Sequence, residues 1–271
     1  MEDEKMSIKK IAIGCLFVLL AGAAISIILN IKDTFVDKAD EILVEDNNYS
    51  NIEVLSENAS VKVLPAKDGK TKVEFSGKIK KKSNYIFNAD VNGDTLYVEL
   101  KEKRWNFIQF GFTSRNIQLI VYVPEKEYQS LKTEIDNGKI KTESIHANEI
   151  SLETDNGLID MNNIVADNVQ VKTDNGQIRM EEVEGAIHAK TDNGRIILTS
   201  NNLDRSINLK TDNGLIQIQT DKEPTNATID AQVDNGKIEV FGTSNKQTIF
   251  GNGENLIKLE TDNGKITVKK Q

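Results

Sequence analysis

Seven aspartates recur at one place in a repeated pattern: Asp136, Asp155, Asp174, Asp192, Asp212, Asp234 and Asp262, each followed by Asn and Gly. Carboxylate and amide oxygens are hard donors, so a row of Asp-Asn pairs has the chemistry of a divalent-cation site, with Ca2+ the ion it suits. The same carboxylates could instead accept hydrogen bonds from their own turns, the ordinary work of Asp in loops. Like charges about 5 Å apart repel unless compensated. Lys139, Arg195, Lys237 and Lys265 follow the glycine in four copies and are placed to compensate them. The Gly-Gly-x-Gly-x-Asp nonapeptide of calcium-binding coils is missing. Asp155, Asp174, Asp192 and Asp212 are therefore the metal-ligand candidates, with Ca2+ the only cofactor suggested.

Other chemistry is sparse. His146 and His188 stand at unrelated offsets in the repeat, and no Cys, Glu-x-x-His or nucleophile-elbow pattern accompanies them. They read as surface positions. A polysaccharide-active coil enzyme is the rival reading, and it would need unlike carboxylates and a base converging in one groove. Here the acids repeat in register, so no catalytic residues and no enzymatic activity are expected. The formal charge is -8, and the four lysines between Lys78 and Lys82 read as a solvated strand end. Nucleic acid is not an expected partner.

The acids are carried by a longer repeat. Its copies are Leu131 to Thr142, Ile150 to Met161, Val169 to Met180, Ile187 to Leu198, Ile207 to Ile218, Ile229 to Val240 and Ile257 to Val268. Apolar or β-branched residues occupy the first, third and fifth positions, then Asp-Asn-Gly, one variable residue and two apolar residues spaced by two. Alternation of this kind marks strands with one buried face, and Asn-Gly tolerates the positive φ of a sharp turn. Each copy therefore reads as strand, turn, strand. The turn glycines Gly138, Gly157, Gly176, Gly194, Gly214, Gly236 and Gly264 are 19, 19, 18, 20, 22 and 28 residues apart, a period that marks a stacked array.

A hairpin meander competes with a parallel coil. Hairpin pairing would set the always-apolar first position against the fourteenth, which is Ser144, Asn163, Glu182, Ser200, Thr220, Gly242 or Lys270. In three copies the next apolar residue comes one place later, at Ile145, Ile164 and Val183, which suggests a third short face. A parallel β-solenoid explains both facts and the constancy of Asp-Asn-Gly, because stacked rungs place identical residues above one another. Seven rungs at about 4.8 Å each give a rod of roughly 35 Å. The last strand, Ile266 to Val268, is expected to leave an exposed edge guarded by Lys269 and Lys270. Lys172, Lys190 and Lys210, two places before an Asp, would form a partial basic stripe.

Ile52, Val54, Ser56, Asn58, Ala59, Val61 and Val63 match the repeat with Ala in place of Gly, which makes residues 52 to 63 a degenerate opening rung. The stretch before Leu131 breaks the period. It holds Val73 to Phe75, a hairpin-like Val91-Asn92-Gly93-Asp94, and Ile117 to Val123 before Pro124, all reading as an antiparallel or irregular cap. Trp105, Phe107, Phe110 and Phe112 read as packing for that cap.

Ile11 to Ile31 is a run without charge, 21 residues long, and as a helix it would measure about 31 Å, the thickness of a bilayer core. Lys5, Lys9 and Lys10 precede it, which favours a cytoplasmic tail and an extracytoplasmic C-terminal domain. A cleaved signal peptide is the alternative, since Ala21-Gly22-Ala23 resembles a cleavage site. The apolar run continues to Ile31, however, which favours a retained anchor. Cys15 is the only cysteine and falls inside the span, so no disulfide staples the domain.

The span, the Ile-x-Val-x-Ser-x-Asn-Ala-x-Val-x-Val opening, the strand ending in Val123-Pro124 and the tandem Leu-x-Thr-Asp-Asn-Gly-x-Ile copies together resemble the bacterial putative-adhesin family, over about residues 40 to 268. That resemblance implies a cell-envelope protein of the kind typical of Gram-positive bacteria. Some members serve envelope-stress and antibiotic-sensing circuits, so signalling through a membrane partner is an alternative role. The expected organisation is a tail (1–10), a transmembrane helix (11–31), a juxtamembrane linker (32–48), an N-terminal β region (49–130) and a repeat solenoid (131–271). The expected function is non-enzymatic binding at the cell membrane, to wall polymer or another envelope protein.

Overall fold

The computed structural model describes residues 35–81, 83–103 and 114–271. The expected span and Trp105, Phe107, Phe110 and Phe112 lie outside these residues, and no helix among the described residues is long and apolar enough to cross a membrane. Regular structure among them is entirely β. The strands are β1 (Phe35–Val44), β2 (Asn51–Pro65), β3 (Thr71–Lys80), β4 (Tyr85–Asn92), β5 (Thr95–Glu102), β6 (Ser114–Val123), β7 (Glu127–Val183), β8 (Ala186–Thr199), β9 (Ile207–Thr220), β10 (Ala227–Val240), β11 (Gln247–Phe250) and β12 (Asn255–Lys270). The stretch expected to be a juxtamembrane linker thus carries β1.

The copies wind as a parallel coil. β7 runs unbroken through three of them, and β8 and β9 follow in parallel and in register: Val169 pairs with Ile187 and Ile187 in turn with Ile207, and Asn175 pairs with Asn193 and Asn193 with Asn213. β2 is the opening rung, with Asn58 beside Asn137 and Ala59 beside Gly138. Counting it, the coil has eight rungs, where seven to eight were expected. The alternating residues turn inward as their period demands, so Ile187, Ala189, Ile196 and Leu198 are buried, as are Ile207, Leu209, Ile216 and Ile218.

The third face is real. Ile145, Ile164 and Val183 are buried, and the residue before each, Ser144, Asn163 and Glu182, has φ of 53°, 52° and 49°. A left-handed residue at the fourteenth place is the corner at which the chain leaves the second face for the third. Gly242, at the same place in the sixth copy, also has positive φ, whereas Ser200 and Thr220 in the fourth and fifth are buried and outside the positive-φ set.

Two expectations are corrected. The copies do not stack in chain order, because the strand order is β8-β9-β12-β10-β11. The seventh copy, on β12, lies between the fifth, on β9, and the sixth, on β10, parallel to both: Ile257 pairs with Ile207 on one side and Ile229 on the other. Ile266 and Val268 are accordingly buried rather than at an exposed edge. The terminal rung is β10, and β11 covers the start of its outer edge in antiparallel fashion, from Ala227 beside Phe250 to Asp230 beside Gln247.

At the other end the sheet forks at β2 into two branches. The first half of β2 pairs with β5, which forms an antiparallel hairpin with β4 at the expected Val91-Asn92-Gly93-Asp94, with Gly93 and Asp94 as the two turn residues. Its second half pairs with β6, which leads antiparallel to β3 and then β1. Phe75 joins the two branches, stacking on Tyr85 and packing tilted against Phe87, with centroids 5.8 and 5.6 Å apart.

Candidate functional site

The Asp-Asn-Gly triplets form one continuous edge of the coil. Eight asparagines are joined side chain to side chain. Asn137 donates from Nδ2 to Oδ1 of Asn58, Asn156 to Asn137, Asn175 to Asn156, Asn193 to Asn175 and Asn213 to Asn193, at 2.9 to 3.1 Å. The line continues through the inserted copy, Asn263 donating to Asn213 at 3.0 Å and Asn235 to Asn263 at 3.1 Å. Every amide in the interior of the row both donates and accepts, so the bonds point one way along the rod and polarise one another.

The glycine answers a demand beyond the positive φ read from the sequence. Asp-Asn-Gly is strand throughout; Gly138, Gly157, Gly214 and Gly236 have φ of 137°, 158°, 156° and 155°, whereas Gly176, Gly194 and Gly264 are not among the positive-φ residues. The rungs also meet so closely here that a Cβ on Gly194 would lie 1.7 Å from the carbonyl oxygen of Gly176. The approach is directional, each glycine facing the carbonyl of the rung before it. Ala59 fits in the opening rung because β5 and β6 pair with β2 only up to Ser56 and from Ser60 onward, leaving no strand behind it.

The aspartates stand singly, one per rung, on the outer side of this edge. Compensation comes from a different place than expected. Lys190 Nζ lies 2.9 Å from Asp192, and Lys172 lies 3.8 Å from Asp174 and 2.6 Å from Glu153. These carboxylates raise both lysine pKa values, chiefly through the hydrogen bonds to Asp192 and Glu153. Lys139 instead reaches Asp160 at 2.8 Å and Lys265 reaches Glu239 at 3.0 Å. The basic stripe is thus largely spent on neighbouring acids. Asp155, Asp174, Asp192 and Asp212 lie along the row without converging, and among the described residues no group of three or more His, Cys, Asp or Glu is arranged to hold a metal. His146 and His188 are exposed, as expected.

Inside the edge, Thr154, Thr173, Thr191, Thr211 and Thr261 form a buried column. The hydroxyls of Thr173, Thr191, Thr211 and Thr261 have no hydrogen-bond partner. Sequence reasoning placed these residues inward but did not single out their hydroxyls.

It also missed a clamp where the cap meets the coil. Tyr49 and Tyr128 stack with centroids 6.0 Å apart, and Lys126 Nζ sits 4.6 and 5.3 Å from the two ring centres. Lys126 donates to the carbonyls of Asn47 and Tyr49 at 2.8 and 2.6 Å, and burial lowers its pKa. Tyr49 shares a 2.6 Å hydrogen bond with Thr71, and Tyr128 donates to Pro124 at 2.6 Å. Burial pushes both phenols up. Two clefts open beside the clamp, one of about 470 Å³ next to Pro124, Lys126 and His146, the other of about 630 Å³ next to Leu64, Lys70 and Tyr122. No signal in the repeat marks them.

A family model described as Toastrack DUF4097 matches residues 49–185 and 171–269. Over 107 residues the chain is 26% identical to the uncharacterized protein YvlB of Bacillus subtilis (strain 168), a match covering 40% of this chain and only 29% of that protein. Among solved structures, a putative cell adhesion protein from Clostridium sporogenes is 13% identical with a TM-score of 0.41, covering 87% of this chain and 100% of that one. A putative adhesin from Bacteroides fragilis is 12% identical with a TM-score of 0.43, covering 87% and 97%. The family match takes in the opening rung, the cap strands from β2 onward and all seven copies, and the chain belongs to the Toastrack DUF4097 family.

Proposed function

We propose that this chain is a non-enzymatic binding rod of the bacterial cell envelope, held to the cytoplasmic membrane by a single span at 11–31 with the coil outside. The observation that carries the reading is the eight-membered asparagine row, because it fixes like side chains at one spacing along a rigid edge. Surfaces of this kind suit extended, repetitive ligands such as wall polymer, or the flank of another envelope protein. The charge-free run and the lysines before it support the anchor and its orientation.

The test is retention of the purified protein by wall fractions and by membranes, with and without Ca2+. Retention by wall polymer or by one envelope protein is the expected result. Loss of retention on chelation would assign the aspartate row a cation, and passage through every fraction would refute the binding role.

A further inference from the structure

β1 ends its branch of the sheet, and among the described residues no strand pairs with its other edge. The ladders say which groups that edge carries. Val123 O accepts from Ala66 N, so the odd residues of β6 turn their backbone groups toward β2 and the even ones toward β3. Carried through the registers of β3 with β6 and of β1 with β3, the same alternation joins the even residues of β1 to β3. The amides and carbonyls of Asp37, Ala39, Glu41 and Leu43 are then directed outward. The Glu41 amide accordingly donates at 3.0 Å to an exposed side chain, the Asp40 carboxylate.

The side chains of this strand form their own complement. Val36, Lys38, Asp40 and Ile42 share one face, and Val36 to Glu41 are all exposed. Among the described residues neither Lys38 nor Asp40 belongs to an ion pair. An antiparallel copy of the strand centred on Ala39 would set Val36 against Ile42 and Lys38 against Asp40, each pair occurring twice by symmetry. On the other face Leu43, 64% exposed, would meet Phe35, and Asp37 would meet Glu41. That last pair is like-charged, but each acid already has a lysine of β3 nearby. Lys78 lies 3.8 Å from Asp37, and Lys72, 2.6 Å from Glu74, lies 3.8 Å from Glu41. Centring the pair on Lys38 or on Asp40 instead would set like charges face to face, so the charges select the register centred on Ala39.

We propose that β1 is an interface for a second copy of this chain, the two strands pairing antiparallel about a two-fold axis at Ala39 so that the sheets of two coils become continuous. Charges on an edge strand ordinarily turn other strands away. Here they admit one partner, the same strand reversed. On pairing, the Asp40 carboxylate leaves the Glu41 amide for Lys38 of the second copy, and the freed amide donates to a carbonyl of the facing strand.

The test uses the full chain carrying Cys15→Ser, which removes its only cysteine. Ala39→Cys places two thiols at the axis, where facing α-carbons are about 5.5 Å apart, within disulfide reach. Asp37→Cys places its pair roughly 14 Å apart, beyond that reach. Mild oxidation should therefore link the Ala39→Cys chain into dimers and leave the Asp37→Cys chain single. Adding Lys38→Asp to Ala39→Cys sets acid against acid in both pairs and should weaken the dimer about thirtyfold. Adding Asp40→Lys as well should restore it, a recovery that a misfolded chain would not show. Linking of the Ala39→Cys chain no greater than that of the Asp37→Cys chain would overturn the interface, and so would a yield indifferent to Lys38→Asp.

Discussion

Replacing Gly194 with Ala tests the claim that the repeat glycine exists for rung contact. Gly194 lies outside the positive-φ set, so the substitution adds no left-handed strain, and the added Cβ would meet Gly176 O at 1.7 Å, Gly176 C at 2.8 Å and Gly176 N at 3.2 Å. A carbon and an oxygen need about 3.2 Å between them, so the rungs must part locally by ~1.5 Å of a spacing near 4.8 Å. That displacement breaks the Asn193–Asn175 side-chain bond, 3.0 Å long, and strains the ladder bonds on either side of it. Three bonds at about 1 kcal/mol each give a loss of roughly 3 kcal/mol, at the upper end of ordinary overpacking costs. Gly93→Ala is the control, since nothing lies within 4 Å of its Cβ and only its φ of +64° matters; about 1 kcal/mol is expected there. Urea unfolding followed by circular dichroism, with hydrogen exchange over 169–218, measures both. A Gly194→Ala protein within about 0.5 kcal/mol of the parent would refute the contact argument.

Thr191→Val removes a buried hydroxyl that has no partner, and Val233 already stands at the equivalent place in the sixth copy; a gain of about 1 kcal/mol in urea is expected, and a loss would mean that the hydroxyl is bonded. Burial raises the Tyr49 and Tyr128 pKa values above the ordinary 10.0, so the folded state keeps protons that the unfolded chain has lost. Stability from the clamp is therefore complete below about pH 10 and falls as pH rises beyond it, and phenolate absorbance that shows both rings ionising at the ordinary phenol value would contradict this. Deleting 255–271 removes Ile257, Leu259, Ile266 and Val268, all fully buried between two rungs, at about 2 kcal/mol each. Hydrogen exchange should then show β10 unprotected although its own sequence is intact, whereas a coil wound in chain order would keep β10 protected on β9.

Much of the fold was legible because the repeat states its own period. The inward alternation and the match of residues 52 to 63 to an opening rung follow from side-chain spacing alone, and the mismatch at the fourteenth position pointed to the corner that Ser144, Asn163 and Glu182 make with positive φ. The role of glycine was read only in part, because Asn-Gly is a local signal for the positive φ that Gly138, Gly157, Gly214 and Gly236 adopt, while the demand on Gly194 comes from a carbonyl of the preceding copy. The nearer partner of Lys172 was hidden for a similar reason, since Glu153 lies one rung across, whereas Asp192, the partner of Lys190, stands two residues along the same strand where the sequence shows it. The tyrosine clamp joins Tyr49 to Tyr128 across the whole cap, and no periodicity links them.

The place of β12 shows where a repeat stops carrying information. Each copy presents the same edges, so β9 can accept β10 or β12 with equal complementarity, and identical rows cannot record which one sits there. The asparagine row is indifferent to the exchange, as the matched bonds from Asn263 to Asn213 and from Asn235 to Asn263 make plain. What differs between the copies is the connection. Six residues between β9 and β10 carry the chain past a vacant rung, held by Asp204, whose carboxylate accepts from the backbone amides of Thr225 and Asn226 at 2.9 and 2.7 Å. The longer link after β10 includes β11, which pairs with the outer edge of β10 and brings the chain back to the gap. The wider glycine spacings of 22 and 28 residues are the trace of this detour in the sequence. Irregular spacing in a coil of identical rungs is thus evidence about order, and the last rung is closed by its neighbours on both sides instead of ending the rod.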